Sequence, residues 1–135
     1  MILFHGVPLD CINHAAVAFH VPATMIVSVM KIENGRNGMA IKNKNGTYDL
    51  GVMQINTSWL PRLEKSGINQ HELQFNGCTN VMVGSWILAQ GIASGEGWKG
   101  LGNYHSRTPK HNATYREKVK SVYNAIMKTL HTEVA

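Results

Sequence analysis

The sequence predicts a mainly α fold, with helices gathered around a polar cleft and one small irregular or hairpin segment near residues 39–50. Three observations predict it. Apolar residues recur at helical spacing through several separate stretches. A run rich in Asn, Gly and basic residues, from Asn34 to Thr47, interrupts that pattern once, and Asn45-Gly46 is its strongest turn signal. The chain has 135 residues, 44% of them hydrophobic, which suits one domain with its own core, and residues 1–135 are assigned to a single domain.

The elements follow in order. Asp10 is the expected cap of a helix from Cys11 to about His20, with Cys11, Ala15, Ala18 and Phe19 toward one face. Pro22 suits the first turn of a second helix, where a missing N–H removes nothing. That helix is expected from about Ala23 to Glu33, with Ile26, Val29, Met30 and then Glu33 on its apolar side. After the Asn-rich loop, Thr57 to about Lys65 reads as a short helix whose start is limited by Pro61. Asn69 and Glu72 form a capping-box start for another. Cys78 to about Ala93 reads as a long buried helix with Cys78, Val81, Met82, Ser85, Leu88, Ala89 and Ile92 along one side. Gly84 and Gly91 weaken it locally and allow close packing. A Gly-rich stretch from Gly95 to Tyr104 precedes a last helix, Ala113 to Leu130, with Tyr115, Val119, Val122, Ile126 and Leu130 on one face.

Composition narrows the function classes. No apolar run approaches the roughly 18 residues of a membrane span, so no stable membrane insertion is expected. The formal net charge is +5, but the basic residues are scattered, and Arg116, Lys118 and Lys120 form the nearest approach to a cluster. Net positive charge suits an anionic polymer such as nucleic acid or cell wall. Without a dense basic run, nucleic acid is not assigned. The start of the chain does not read as a secretory signal, which leaves a cytoplasmic protein or one whose signal has been removed. Cys11 and Cys78 are too distant for a CxxC redox motif and too few for a cysteine zinc site. One disulfide and two buried thiols are both open on composition.

Glu33 is the most informative acidic residue. It prolongs an apolar helix face, so its carboxyl is drawn toward the core, where burial raises a carboxyl pKa and suits it to donate a proton. The plainer alternative is a helix-end Glu turned to solvent. Asp49 lies across the polar loop, and a pair of carboxylates bordering a cleft is what glycoside hydrolysis commonly uses. Alone it would read as a turn or capping residue. The remaining acidic residues, Asp10, Glu64, Glu72, Glu96, Glu117 and Glu133, have ordinary accounts as caps, surface or tail residues. The seven His show no ligand spacing, so no metal and no cofactor are assigned. Trp59, Trp86, Trp98, Tyr48, Tyr104 and Tyr115 offer rings for stacking on sugars, with Trp86 assigned to the core. Asn112-Ala113-Thr114 matches a glycosylation sequon and is given no weight.

The run Asn43 to Asn56, Asn-Lys-Asn-Gly-Thr-Tyr-Asp-Leu-Gly-Val-Met-Gln-Ile-Asn, carries a resemblance. It resembles the stretch after the catalytic glutamate of C-type lysozymes, in the Asn-x-x-Gly-x-x-Asp spacing and the Gly-x-x-Gln-Ile-Asn ending. Gly51-Val52-Met53-Gln54 is similar to the Gly-Leu-Met-Gln motif of family 1 lytic transglycosylases. Glu33 stands where that family has its catalytic glutamate. Asn80 to Leu88 resembles its Asn-led helix, Gly102-Asn103-Tyr104 its Tyr-Asn motif, and Tyr115 with Val119 its closing Tyr-x-x-x-Val. The resemblance covers roughly residues 11–127 and is nearest to small transglycosylases that accompany secretion, conjugation or pilus machines.

The resemblance implies a lysozyme-like α+β fold and lytic cleavage of peptidoglycan glycan strands, with 1,6-anhydro ends and no cofactor. It implies Glu33 as the catalytic acid and base and Asp49 as a supporting charge. Met53, Gln54, Asn56, Tyr104 and Tyr115 are then expected at the substrate. It also implies a Cys11–Cys78 disulfide, a periplasmic setting with the signal absent or removed, and a monomer that partners a transport machine. A hydrolytic muramidase using Asp49, and a non-catalytic wall-binding assembly protein, are the alternatives. Three departures stand out: Asn34 replaces a frequent Ser after the glutamate, His105 replaces the Asn after the motif tyrosine, and Asp49 is a lysozyme-like feature.

Overall fold

The computed structural model describes residues 1–134, with side chains described through residue 131. Seven α-helices and five short strands are found among the described residues. The chain opens with a hairpin, β1 (Leu3–Phe4) against β2 (Val7–Pro8), turning at His5-Gly6. No helical or alternating pattern betrays so short a pair. Helix α1 (Leu9–Phe19) leaves directly from it. Asp10, expected as the cap, lies inside the first turn, and Pro8 holds the cap position without a side-chain bond. The hairpin does the capping itself, because the Leu9 N–H donates to the Ile2 carbonyl at 2.9 Å. Ile12 and Ala15 face the core from this helix, while Ala18 is exposed.

Helix α2 spans Ala23–Glu33, the bounds the periodicity predicted, with Pro22 at its cap. It meets α1 at 120°. Ile26, Val29 and Met30 are fully buried, so the last turn carries Glu33 along the same face to the edge of the core. Asn34 ends the helix in the left-handed conformation, φ 52°, and its N–H bonds the Met30 carbonyl.

The polar middle is a three-stranded antiparallel sheet rather than a lone hairpin: β3 (Ala40–Lys42), β4 (Tyr48–Leu50) and β5 (Ile55–Asn56), in that order. Gly46, at φ 86°, makes the predicted turn between β3 and β4. The third strand is only two residues long and left no alternation to read. Its register sets Asn56 opposite Asp49.

A 3₁₀ turn (Thr57–Trp59) leads into α3 (Leu60–Lys65), and α4 (Gln70–Phe75) starts at Asn69, whose side chain accepts the Glu72 N–H. Helix α5 (Gly77–Ala93) is capped by Asn76. Its burial is broader than the single side expected: Asn80, Val81, Val83, Gly84, Ser85, Ile87 and Leu88 are all buried. Such a helix is central, with neighbours around most of its circumference. α1, α4 and the short helix α6 (Trp98–Gly102) pack on it. That last helix occupies the Gly-rich stretch, where Gly91 and Gly100 touch backbone to backbone and any side chain would collide. Helix α7 (Pro109–Val134) starts earlier than predicted and packs on α2 and α6. Its expected face is buried at Tyr115 and Val119 and emerges into solvent by Leu130. No single described helix is long and apolar enough to cross a membrane.

Cys11 and Cys78 form a disulfide, with Cα atoms 5.5 Å apart, joining α1 to α5. Closing 67 residues of chain restricts the unfolded ensemble far more than the native one. Non-reduced protein is therefore expected to take up no thiol alkylating reagent. Replacing both cysteines by Ser should lower unfolding free energy by about 2–5 kcal/mol in chemical denaturation. An unchanged midpoint would show that the bridge contributes nothing.

Candidate active site

Glu33 leaves the end of α2 and turns into a cleft of ≈ 500 Å³ between the β-sheet and the segment after α6. Asp49, Gln54, Asn56, Trp59, Tyr104 and His105 line the same cleft. The position of Glu33 is over-determined. Behind it Gly35 is buried with its Cα against the Gly51 and Val52 carbonyls, a contact that any Cβ would prevent. Arg36 then donates to the Gly35 carbonyl at 2.9 Å, to Asn34 Oδ1 at 3.2 Å and to His5 Nδ1 at 2.8 Å, tying the helix end to the first hairpin.

The turn from Leu50 to Gln54 is fixed from below by Asn80. Its Nδ2 donates to the Leu50 and Leu73 carbonyls, both at 2.8 Å, and its Oδ1 accepts the Met53 N–H at 2.8 Å. Gly51, at φ 71°, lies so close to the Asn80 amide that a Cβ would strike it. Gln54 then takes φ 53°, in a region that side-chain-bearing residues rarely adopt, and its Nε2 donates to the Gly51 carbonyl at 2.9 Å. Asp49 sits one strand position before this turn. Its Oδ1 accepts from Asn43 Nδ2 at 3.1 Å and Asn56 Nδ2 at 2.9 Å. The two amides fix the direction of the Asp49 carboxyl in the cleft.

Met53, expected at the substrate, does not line the cleft. Its side chain is fully buried against Gly84, where the absence of a Cβ makes room for it. The useful atom is its carbonyl oxygen, which accepts the Tyr104 hydroxyl at 2.7 Å. Tyr115 also differs from expectation. Its ring is buried and its hydroxyl donates to Glu33 Oε2 at 2.6 Å, so it holds the carboxyl rather than opening onto the main cleft. Asn56 lines the cleft and braces Asp49 at the same time.

Burial raises the Glu33 pKa from 4.5 to about 7; the Tyr115 hydrogen bond pulls it down and the Asp49 charge pushes it up. Burial, with the Glu33 charge adding, also holds the Tyr104 and Tyr115 hydroxyls well above their usual range, so both act as neutral donors.

Two residues that the sequence did not single out complete the frame. Asn76 caps α5 and so sets the start of the helix carrying Asn80. Asn112, visible beforehand only as a glycosylation sequon, is buried. Its Nδ2 lies 3.0 Å from the Lys99 carbonyl, 2.9 Å from Asn103 Oδ1 and 3.1 Å from the Ser106 carbonyl, and its Oδ1 accepts from Arg116 at 2.9 Å. It clamps the loop that presents Tyr104 and His105. A lone polar residue in a helix gives no sequence signal of such a role.

The raised pKa has a stability consequence. The folded chain holds the Glu33 proton more tightly than the unfolded chain does. The stability this supplies is complete below about pH 4.5 and is lost as pH rises through about 7. Glu33→Gln is therefore expected to be more stable than wild type above pH 7, by on the order of 2 kcal/mol after discounting for partial exposure. The difference should fade toward pH 4.5. Carboxyl NMR should show the Glu33 pKa rising in Tyr115→Phe and falling in Asp49→Asn. Shifts of the opposite sign would refute this account of its environment.

Comparison with known proteins identifies the family. Residues 10–133 match the Transglycosylase SLT domain. Invasion protein IagB of Salmonella typhimurium is 31% identical over 117 residues, covering 84% of this chain and 73% of the relative. Protein IpgF of Shigella flexneri is 27% identical over 122 residues, covering 88% and 80%. A peptidoglycan-binding-like protein of Escherichia coli O157:H7 is 29% identical over 129 residues, covering 86% and 77%. With nearly its whole length matched and the resemblance of its motifs thereby accounted for, the chain belongs to the transglycosylase SLT domain family.

Proposed function

We propose that this protein is a peptidoglycan lytic transglycosylase that cleaves the β-1,4 bond between N-acetylmuramic acid and N-acetylglucosamine. The observation that carries the reading is Glu33: a buried carboxyl with its pKa raised to about 7, held by a phenol and facing a polar cleft. Such a group is protonated often enough to act as an acid and ionised often enough to act as a base near neutral pH.

In the proposed sequence, Glu33 gives its proton to the glycosidic oxygen, and the bond from C1 to that oxygen breaks. The acetamido oxygen of the same sugar supports C1 as positive charge grows. Glu33, now a carboxylate, takes the proton of the C6 hydroxyl, whose oxygen bonds to C1 and closes a 1,6-anhydro ring. The enzyme ends in its starting protonation state, with no water consumed. Asp49, oriented by Asn43 and Asn56, stabilises the oxocarbenium charge. Gln54, Asn56 and the edge of Tyr104 contact the sugars, while Tyr115 positions the acid. The setting is periplasmic. The role proposed is a local opening of the wall for a transport machine, and one relative carries the name of an invasion protein.

Hydrolysis is the second reading, because Asp49 lines the same cleft as a braced carboxylate. Muropeptide mass spectrometry of digested sacculi separates the two. Anhydro ends are expected, and reducing ends in their place would favour the muramidase. Glu33→Gln should abolish cleavage with circular dichroism unchanged. Asp49→Asn should slow it by about 10–1000-fold, roughly 1.4–4 kcal/mol in barrier, without changing the product. The pH profile of kcat/KM should fall on its alkaline side with a pKa near 7, the Glu33 value.

A further inference from the structure

We propose that His105 is a positioning residue for the cleavage: its ring, laid on that of Tyr115, stands between two cavities that both border Glu33 and keeps them from opening into one wet trench around the carboxyl. This rests on the reading of Glu33 as the group that cleaves the strand. One cavity is the main cleft; the other, of ≈ 360 Å³, lies between the end of α2 and the first turns of α7. The two share Glu33 and His105 as lining residues. The second cavity is open to solvent on its outer side, where His111, Thr114 and Lys118 are exposed.

His105 acts through Tyr115. The two rings are stacked, with centroids 4.8 Å apart and planes 10° from parallel. Tyr115 is buried and its hydroxyl donates to Glu33 Oε2 at 2.6 Å, whereas His105 is exposed, so the imidazole lies between the phenol and solvent. Tyr104 is also nearly parallel to Tyr115, but its centroid is 6.4 Å away and its hydroxyl is tied to the Met53 carbonyl, so it does not move over to replace the imidazole. The loop that carries His105 is held on both sides. The N–H groups of Tyr104, His105 and Ser106 donate back to the Leu101 and Gly102 carbonyls, and Asn112 bonds Asn103 and Ser106. A ring on so restrained a loop is a fixed wall.

The wall is also neutral. Burial holds the His105 pKa below its ordinary value, His111 depresses it further, Asp49 opposes and Lys118 adds to the depression. A cation at this place would favour the Glu33 carboxylate and offset the burial that makes Glu33 an acid. The titratable groups that face Glu33 are Tyr115 on α7, Tyr104 in the loop and Asp49 on β4. None of them is a cation, so His105 covers the site without supplying a counter-charge. Asn, the residue for which His105 stands in the family motif, has no flat ring to lay on the phenol.

Carboxyl NMR titration of Glu33 in the full chain tests this without turnover. From its value of about 7, the Glu33 pKa should fall by at least about 0.5 unit in His105→Ala, because water gains access to the charged form. His105→Phe, which returns a flat neutral ring, should recover at least about half of that shift. His105→Asn should lie between the Ala and Phe variants, and it keeps the test readable where the Ala variant does not fold. The alkaline limb of the kcat/KM profile should move to lower pH in the same order, a displacement that a loss of structure alone does not produce. A Glu33 pKa that stays within about 0.5 unit in His105→Ala, that rises, or that His105→Phe fails to bring back, overturns the proposal. Failure of wild-type digests to contain anhydro ends would instead overturn the reaction proposed for Glu33, and the NMR titration would still be readable.

Discussion

One buried amide determines how the cleft can be built. Asn80 lies fully inside the protein, yet satisfies its side chain with three backbone groups from two segments: the Leu50 and Leu73 carbonyls and the Met53 N–H. Buried polar groups left unpaired are destabilising by about 1–3 kcal/mol each, so each of these bonds strongly excludes other paths for the turn from Leu50 to Gln54. The turn in turn orders both sides of the site. It ends β4, which carries Asp49, it presents Gln54, and it offers the Met53 carbonyl to Tyr104. The glycines enforce the same arrangement sterically, since Gly51 leaves space for the amide and Gly35 lets the end of α2 press on that turn.

The same frame gives the two carboxyls different surroundings. Glu33 belongs to a helix whose preceding face is core, so burial dominates its environment, and a single phenol hydrogen bond only partly offsets it. Asp49 belongs to a strand of the polar sheet and is met by two amide donors. Burial raises the Glu33 pKa, while the amides fix the direction of Asp49, so two identical functional groups stand in different surroundings. The tyrosines fit the division. Held far from ionisation by burial, they contribute hydroxyl dipoles without adding charge that would compete with either carboxyl.

Much of this was legible in the sequence where a periodic pattern ran long enough. The bounds of α2, the turn at Asn45-Gly46, the cap at Asn69 and the inward path of Glu33 all follow from local spacing. What local spacing could not convey were pairings between distant segments. The two-residue strand at Ile55–Asn56 has no period of its own, and it is its register with β4 that places Asn56 beside Asp49. Met53 was misplaced because a motif fixes a residue's order in the chain and not the face of a tight turn on which its side chain falls. The depth of Gly84 on α5 decides that, by offering Met53 a vacancy in the core. Asn112 was unreadable for a related reason: its partners Lys99, Asn103 and Ser106 belong to a loop with no pattern.

Several residues that break local rules adjoin this cleft, although His5 in the first hairpin and His20 at the end of α1 also have positive φ. Asn34 and Gln54 have positive φ without being glycine, a carboxyl is buried beside another carboxyl, and glycines on two segments allow carbonyl contacts that side chains would forbid. Each departure is unfavourable alone and persists only because the surroundings over-determine it. Those surroundings are the most ordinary part of the molecule: a central helix buried almost all round, joined by a disulfide to α1 and flanked by helices with regular apolar faces. The division is physically necessary. A group that must sit near its own pKa in a fixed direction cannot relax to its lowest-energy surroundings, so its strain has to be borne by a scaffold that gains nothing from moving. The motifs that single out Gly51, Gln54, Asp49 and the Asn80-led helix are thus the visible part of a constraint whose other half, the packing of Met53 on Gly84 and the hydrogen bonds of Asn112, exists only where distant segments meet.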